Sequence, residues 1–170
     1  LGIARGTTDD NAIALIKLAA SMEYTSMGSI VISSGDEMGY SSSQSSAINW
    51  KNLITYSDLN AYYCNLIQLR KTISKLTSGS TSSYSDFVFD TTSTDQIAYV
   101  INNDGNNQWN KIAVMYNNSD STKWMTLPDT SDKWVIVAND EYAGFETLKI
   151  VSYNSFSVPA HSSIIAVDAE

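Results

Sequence analysis

The hydrophobic period of this chain changes near residue 78. Before that point apolar side chains recur every three or four residues, the spacing of one helix face. Beyond it they alternate, the spacing of a strand with one buried side. One period cannot serve both kinds of element, because a helical stripe scatters over both faces of a strand. The chain is therefore expected to divide into a helical part, residues 1–77, and an all-β part, residues 78–170.

In the first part, Thr7, Thr8, Asp9 and Asp10 offer helix N-caps and early negative charge. Ala12, Leu15, Ala19 and Met22 follow at helical spacing, as do Ile13, Ile16 and Ala20. So broad an apolar surface is expected to be covered on more than one side. Gly28 is the stop. Residues 29–34, Ser-Ile-Val-Ile-Ser-Ser, are β-branched and bounded by Gly28 and Gly35. That pattern predicts a strand buried on both faces, as in a parallel sheet flanked by helices. Its partner strands are missing, and a lone buried strand leaves its N–H and C=O groups unpaired. A polar loop, residues 35–56, contains Ile48-Asn49-Trp50. Ser57 is expected to cap a second helix with Leu59, Tyr62, Tyr63, Leu66, Ile67, Leu69, Ile73 and Leu76 on its apolar face. Arg70, Lys71 and Lys75 suit the negative end of its dipole. Residues 77–83 read as a linker.

Strands are predicted over residues 86–90, 96–102, 111–117, 123–127, 134–138, 147–151, 155–158 and 163–167. Short strands between Asn, Asp, Gly and Ser clusters argue for an antiparallel β-sandwich.

Charge narrows the function. Ten Lys+Arg against 18 Asp+Glu give a net charge of −8, which disfavours a generic grip on nucleic acid or anionic lipid. No apolar run approaches the roughly 20 residues that span a bilayer. One cysteine, Cys64, excludes an internal disulfide framework, and its apolar neighbours predict a buried thiol. One histidine, His161, has no histidine partner for zinc and is expected in a surface turn. A Lys-poor composition rich in Ser, Thr and Asn suits an extracellular or cell-surface bacterial protein.

Asp36 and Glu37 follow the expected strand directly. Ligands gather at the carboxyl ends of parallel strands, so the two acids either margin a site or brace the loop. Adjacent acids do not oppose one another across a substrate as a glycosidase pair must. Tyr40, Asn49 and Trp50 offer flat faces plus an amide, a kit for a sugar ring; the alternative is a loop anchored by a buried Trp50. Trp124 and Trp134 each follow a Lys in strand patterns and are expected in the core, whereas Trp109, beside an Asn-rich turn, is the indole expected to be exposed. Asp104-Gly105 reads as a hairpin turn rather than a calcium loop. Asn117-Asn118-Ser119 fits the glycosylation pattern, which carries little weight alone.

Residues 28–39, Gly-Ser-Ile-Val-Ile-Ser-Ser-Gly-Asp-Glu-Met-Gly, resemble the eighth-strand segment of the α-amylase family (glycoside hydrolase family 13). Gly28, Gly35 and Glu37 match in register, while Ile30 stands where that family usually has Pro. Ala47-Ile48-Asn49-Trp50 and the Tyr62-Tyr63 to Leu69-Arg70-Lys71 helix are similar to elements of type I pullulanases and related debranching enzymes. Residues 95–103, 111–117 and 155–167 resemble the C-terminal sandwich of that family. The resemblance implies a mixed fold: the end of a (β/α)8 barrel, as helix, strand and helix, followed by an antiparallel C-terminal sandwich. It implies that the family's three catalytic acids would precede Leu1, so no catalytic residue is assigned in this chain. Substrate-binding candidates are Glu37, Asp36, Tyr40, Asn49, Trp50 and Trp109. No cofactor or metal is assigned, and calcium stays open for the parent enzyme. The implied function is the C-terminal portion of a secreted debranching hydrolase of pullulan, glycogen or starch. The chain itself would be an inactive structural cap; the alternative is a non-catalytic α-glucan-binding module. Its partners would be α-glucan through the parent enzyme and the rest of the barrel, with no nucleic acid and no membrane insertion. Alone, its helices would self-associate unless a fuller structure covers them.

Overall fold

A computed structural model of the chain describes residues 9–40, 47–77, 87–103, 109–127 and 133–169. Thr7, Thr8, nearly all of the expected linker, residue 86 and the Asp104-Gly105 turn lie outside the described residues.

The helical part holds α1 (Asp9–Thr25), a single 3-10 turn (Asp36–Met38), α2 (Asn52–Thr55), α3 (Ser57–Lys71) and α4 (Ser74–Thr77). On α3, Leu59, Tyr62, Tyr63, Leu66, Leu69 and Arg70 are buried. Asp58, Ala61, Cys64, Gln68 and Lys71 form the exposed stripe opposite. Cys64 thus faces solvent, contrary to the expectation of a buried thiol. Its apolar neighbours belong to the other face, since residues three and four apart share a face and adjacent ones do not. In native buffer Cys64 is expected to react with an aromatic disulfide reagent as fast as it does in urea. A large acceleration on unfolding would contradict that placement.

Ser57 does not cap α3. Tyr56 holds that position without a side-chain cap, and its N–H donates to the Asn52 carbonyl, so α2 runs almost directly into α3. The local start signal lies upstream, where the Asn49 side-chain oxygen accepts the Lys51 N–H at 3.2 Å.

All eight expected strands form: β1 (Phe87–Ser93), β2 (Gln96–Asn102), β3 (Lys111–Asn117), β4 (Lys123–Thr126), β5 (Trp134–Ala138), β6 (Lys149–Val151), β7 (Ser155–Val158) and β8 (Ser162–Asp168). Six make an antiparallel sheet in the order β1-β2-β3-β8-β5-β6, and β4 pairs with β7 in a small second sheet. The last strand is central, pairing on both sides with β3 and β5. Alternation along these strands supplies two cores. Ala98, Val100, Ala113, Met115 and Ala166 meet Met125, Phe156 and Val158 of the small sheet. Tyr99, Ile101, Ile112, Val114 and Ile165 meet Leu18, Leu59, Tyr62 and Leu66 of the helices. The large sheet is therefore the middle of three layers, which is why its strands read as nearly continuous apolar runs.

Hydroxyl groups lock α1 to that sheet. Tyr62 donates to the Asn139 carbonyl at 2.9 Å and shares a 3.0 Å hydrogen bond with Ser21. Tyr99 and Tyr116, 2.9 Å apart, both bond Thr25. Burial pushes the Tyr116 phenol well above its ordinary range, so it stays a neutral donor. Lys17 donates to the Asp140 carbonyl at 2.9 Å with its ammonium over the Tyr62 ring.

The two sheets are tied by Asn117. Its amide nitrogen lies within 2.9–3.0 Å of the Ser121, Val158 and Pro159 carbonyls, and its oxygen accepts the Ser119 N–H at 3.0 Å. The side chain is fully buried, so this Asn is a structural hub rather than an accessible glycan acceptor.

One expected element is absent. Residues 29–34 form no strand, so the helix-strand-helix unit is present only as its helices. Val31 is 84% exposed and Ile32 is also exposed. Strand propensity needs a ladder partner, and neither edge of the large sheet, β1 or β6, pairs with this segment.

Candidate functional site

Gly35 makes the loop after residue 34 possible. Its φ of 99° lies in the left-handed region, and a Cβ there would sit 2.6 Å from the Tyr40 Cβ. The Gly35 carbonyl then accepts the N–H groups of both Met38 and Tyr40, at 2.9 Å each. Within this turn Asp36 accepts the Ser33 N–H at 3.2 Å, and Glu37 accepts the Gly35 N–H at 3.1 Å. Both carboxylates therefore brace their own loop.

The loop packs against α1 and α3 and leaves a crevice of about 150 Å³ lined by Ile16, Ala20, Glu23, Asp36, Tyr40 and Tyr63, among others. Burial, and then the Asp36 charge, raises the Tyr63 phenol out of the range in which it could act as a base. Two carboxylates and two phenols can accept from and donate to a polyol, but the volume is below the several hundred Å³ of enclosing ligand sites. A wider groove of about 270 Å³, lined by Leu15, Leu18, Met22, Asp95, Ile97 and Tyr116, holds none of the expected site residues.

Of the six candidates, the crevice brings together Asp36 and Tyr40. Glu37 lies in the same turn without lining it. Asn49 is spent on the start of α2, and Trp50 is 69% exposed rather than a buried loop anchor. Trp109 is 8% exposed, which corrects the expectation of an exposed indole. Its ring stacks on Phe145 with centroids 5.8 Å apart, and its carbonyl accepts the Asn103 amide. Trp134 is fully buried as expected, but Trp124 is 69% exposed. The register explains the difference: Met125 and its partner Phe156 point into the core, so Trp124 and its partner Ser157 turn outward. His161 sits in a turn at φ 49°, with its Nε2 2.9 Å from the Asp120 carboxylate.

Glu23 and Arg70 were missed. Glu23 was one helical residue among many. Arg70 read as a dipole partner, yet its guanidinium donates to four carbonyls: Tyr24 at 2.8 Å, Ser26 at 2.6 Å, Gly28 at 2.5 Å and Leu76 at 3.1 Å. The Tyr24, Ser26 and Gly28 carbonyls lie at and just beyond the end of α1, where intrahelical donors run out, and the Leu76 carbonyl of α4 accepts the Gly28 N–H at 3.1 Å as well. Arg70 thereby fixes the path of the chain into the 29–40 loop.

Residues 86–142 match the family model described as pullulanase, all-beta domain. No curated protein matches the chain. Among solved structures, a pullulanase from Bacillus acidopullulyticus aligns over 95% of this chain with a TM-score of 0.85 at 23% identity, and 21% of its own length is covered. A type I pullulanase from Bacillus subtilis str. 168, solved with maltose, gives 0.84 at 20% identity over 96% of this chain and 24% of its own. A pullulanase from Anoxybacillus sp. LM18-11, solved with maltotetraose, gives 0.80 at 18% identity over 98% and 25%. The chain thus spans about a fifth to a quarter of the length of these relatives. Its antiparallel part is similar to the pullulanase all-beta domain, and the described fold, helices included, is one that these pullulanases carry.

Proposed function

We propose that this chain is the C-terminal portion of a secreted pullulanase-like enzyme of the α-amylase family, acting on the α-1,6 bonds of pullulan, glycogen or starch. The observation that carries the reading is the 0.85 TM-score over 95% of this chain against 21% of a pullulanase. In this reading residues 1–77 close the catalytic barrel and residues 78–170 form a structural cap on it. The barrel supplies the partner strands that residues 29–34 lack. It also covers the apolar side chains that the chain leaves exposed at Val31, Ile32, Leu53 and Ile54. The opposed acids of a retaining glycosidase come from the remainder of the parent, because Asp36 and Glu37 are committed to their own loop.

The isolated 170-residue chain is expected to release no reducing sugar from pullulan. Turnover that copurifies with the chain and survives removal of contaminating enzymes would overturn the assignment of a non-catalytic cap.

A further inference from the structure

The exposed Trp124 stands over a shallow cleft at the edge between the two sheets. The cleft holds about 70 Å³ and has Val151 on its floor, with Trp124, Tyr153, Lys149, Ser155 and Ser157 around it. Tyr153 is also exposed. We propose that Trp124 and Tyr153 form a stacking platform for the pyranose rings of an α-glucan chain. The proposal rests on the glucan reading above and adds to it a site on the sandwich.

The chemistry of the rim selects the ligand. A pyranose ring presents an apolar C–H face to an aromatic plane and a belt of hydroxyls to its sides. Trp124 and Tyr153 supply the planes. Ser155 and Ser157 supply hydroxyls that both donate and accept, and Lys149 supplies a donor. The strand register sets Ser157 directly across from Trp124, so an indole face and a hydroxyl share one outward surface. A polyanion is disfavoured by the net charge of −8. A cleft this small cannot enclose a ligand, since enclosing pockets run to about 300 Å³ and more. It suits surface contact with one or two rings of a polymer, held weakly and repeatedly along its length. The large sheet separates this cleft from the crevice beside Asp36, because the two lie over its opposite faces.

The test is native electrophoresis of the full chain in gels with and without amylopectin, with Trp124→Ala, Tyr153→Ala and Ile54→Ala beside it. Ile54 is 83% exposed and lies in the helical part, so it controls for stickiness of exposed apolar surface. The expected result is retardation of the unmodified chain, about tenfold weaker binding in Trp124→Ala and in Tyr153→Ala, and unchanged retardation in Ile54→Ala. Trp124→Phe, which keeps an aromatic plane, is expected to restore most of the effect. Retardation that survives Trp124→Ala, or that Ile54→Ala abolishes equally, would overturn the platform while leaving the glucan reading intact. No retardation of the unmodified chain would overturn the platform too, and the pullulan reading would still be judged on the activity of the parent enzyme. Equal retardation in hydroxyethyl cellulose would overturn the choice of an α-glucan.

Discussion

Replacing Arg70 with methionine is expected to lower the stability of the chain by about 3–4 kcal/mol. Methionine keeps most of the apolar stem, so the loss reports the guanidinium and not its volume. The Tyr24, Ser26 and Gly28 carbonyls lose the guanidinium at once, that of Tyr24 in buried surroundings where water does not replace it, while the Leu76 carbonyl keeps only the Gly28 N–H. Lysine is expected to recover less than half of the loss, because one ammonium cannot reproduce a planar fork that reaches the ends of two helices. Urea unfolding followed by far-UV circular dichroism measures the effect as a lower midpoint at unchanged slope. A loss below about 1 kcal/mol would mean that these carbonyls are satisfied without Arg70.

Replacing Asn117 with alanine is expected to cost about 3 kcal/mol. Three carbonyls from the 118–121 turn, β7 and the corner after it converge on one buried amide. Aspartate at this position is nearly the same shape but has no N–H to give them. When ionised it sets a negative charge against three carbonyl oxygens, so Asn117→Asp is expected to lose at least as much at neutral pH. Midpoints from the same urea titration compare the two variants. An aspartate variant as stable as the parent chain would contradict the assigned direction of these hydrogen bonds.

The strands were legible because each one's contribution is local. Alternation in residues such as 111–117, with turn-forming residues on either side, specifies a strand whatever it pairs with. Which face of a short strand meets the core is not local. Trp124 and Trp134 look alike in sequence, each after a Lys, yet one faces solvent and the other is fully buried, because the small sheet offers its Met125 side to the large one. Trp109 misled in the opposite direction: a neighbouring polar turn suggested exposure, but Phe145, 36 positions away in sequence, covers the ring. Residues 29–34 carry strand propensity without a partner in this chain, so the pattern is real and the strand does not form. Arg70 shows the same limit at the candidate site. Its role is fixed by carbonyls 6 to 46 positions distant, and no spacing rule finds such partners.

The most direct test of the central claim is a pullulan-overlay gel of the source cells and their medium, blotted with an antibody raised against this chain. This chain covers 21–25% of three solved pullulanases, so a parent of their length would be about four to five times heavier than 18.6 kDa. The account predicts that the antibody marks a band of that size in the medium and that the same band clears pullulan. An 18.6 kDa species as the sole labelled protein, with pullulan clearing elsewhere or nowhere, would contradict it.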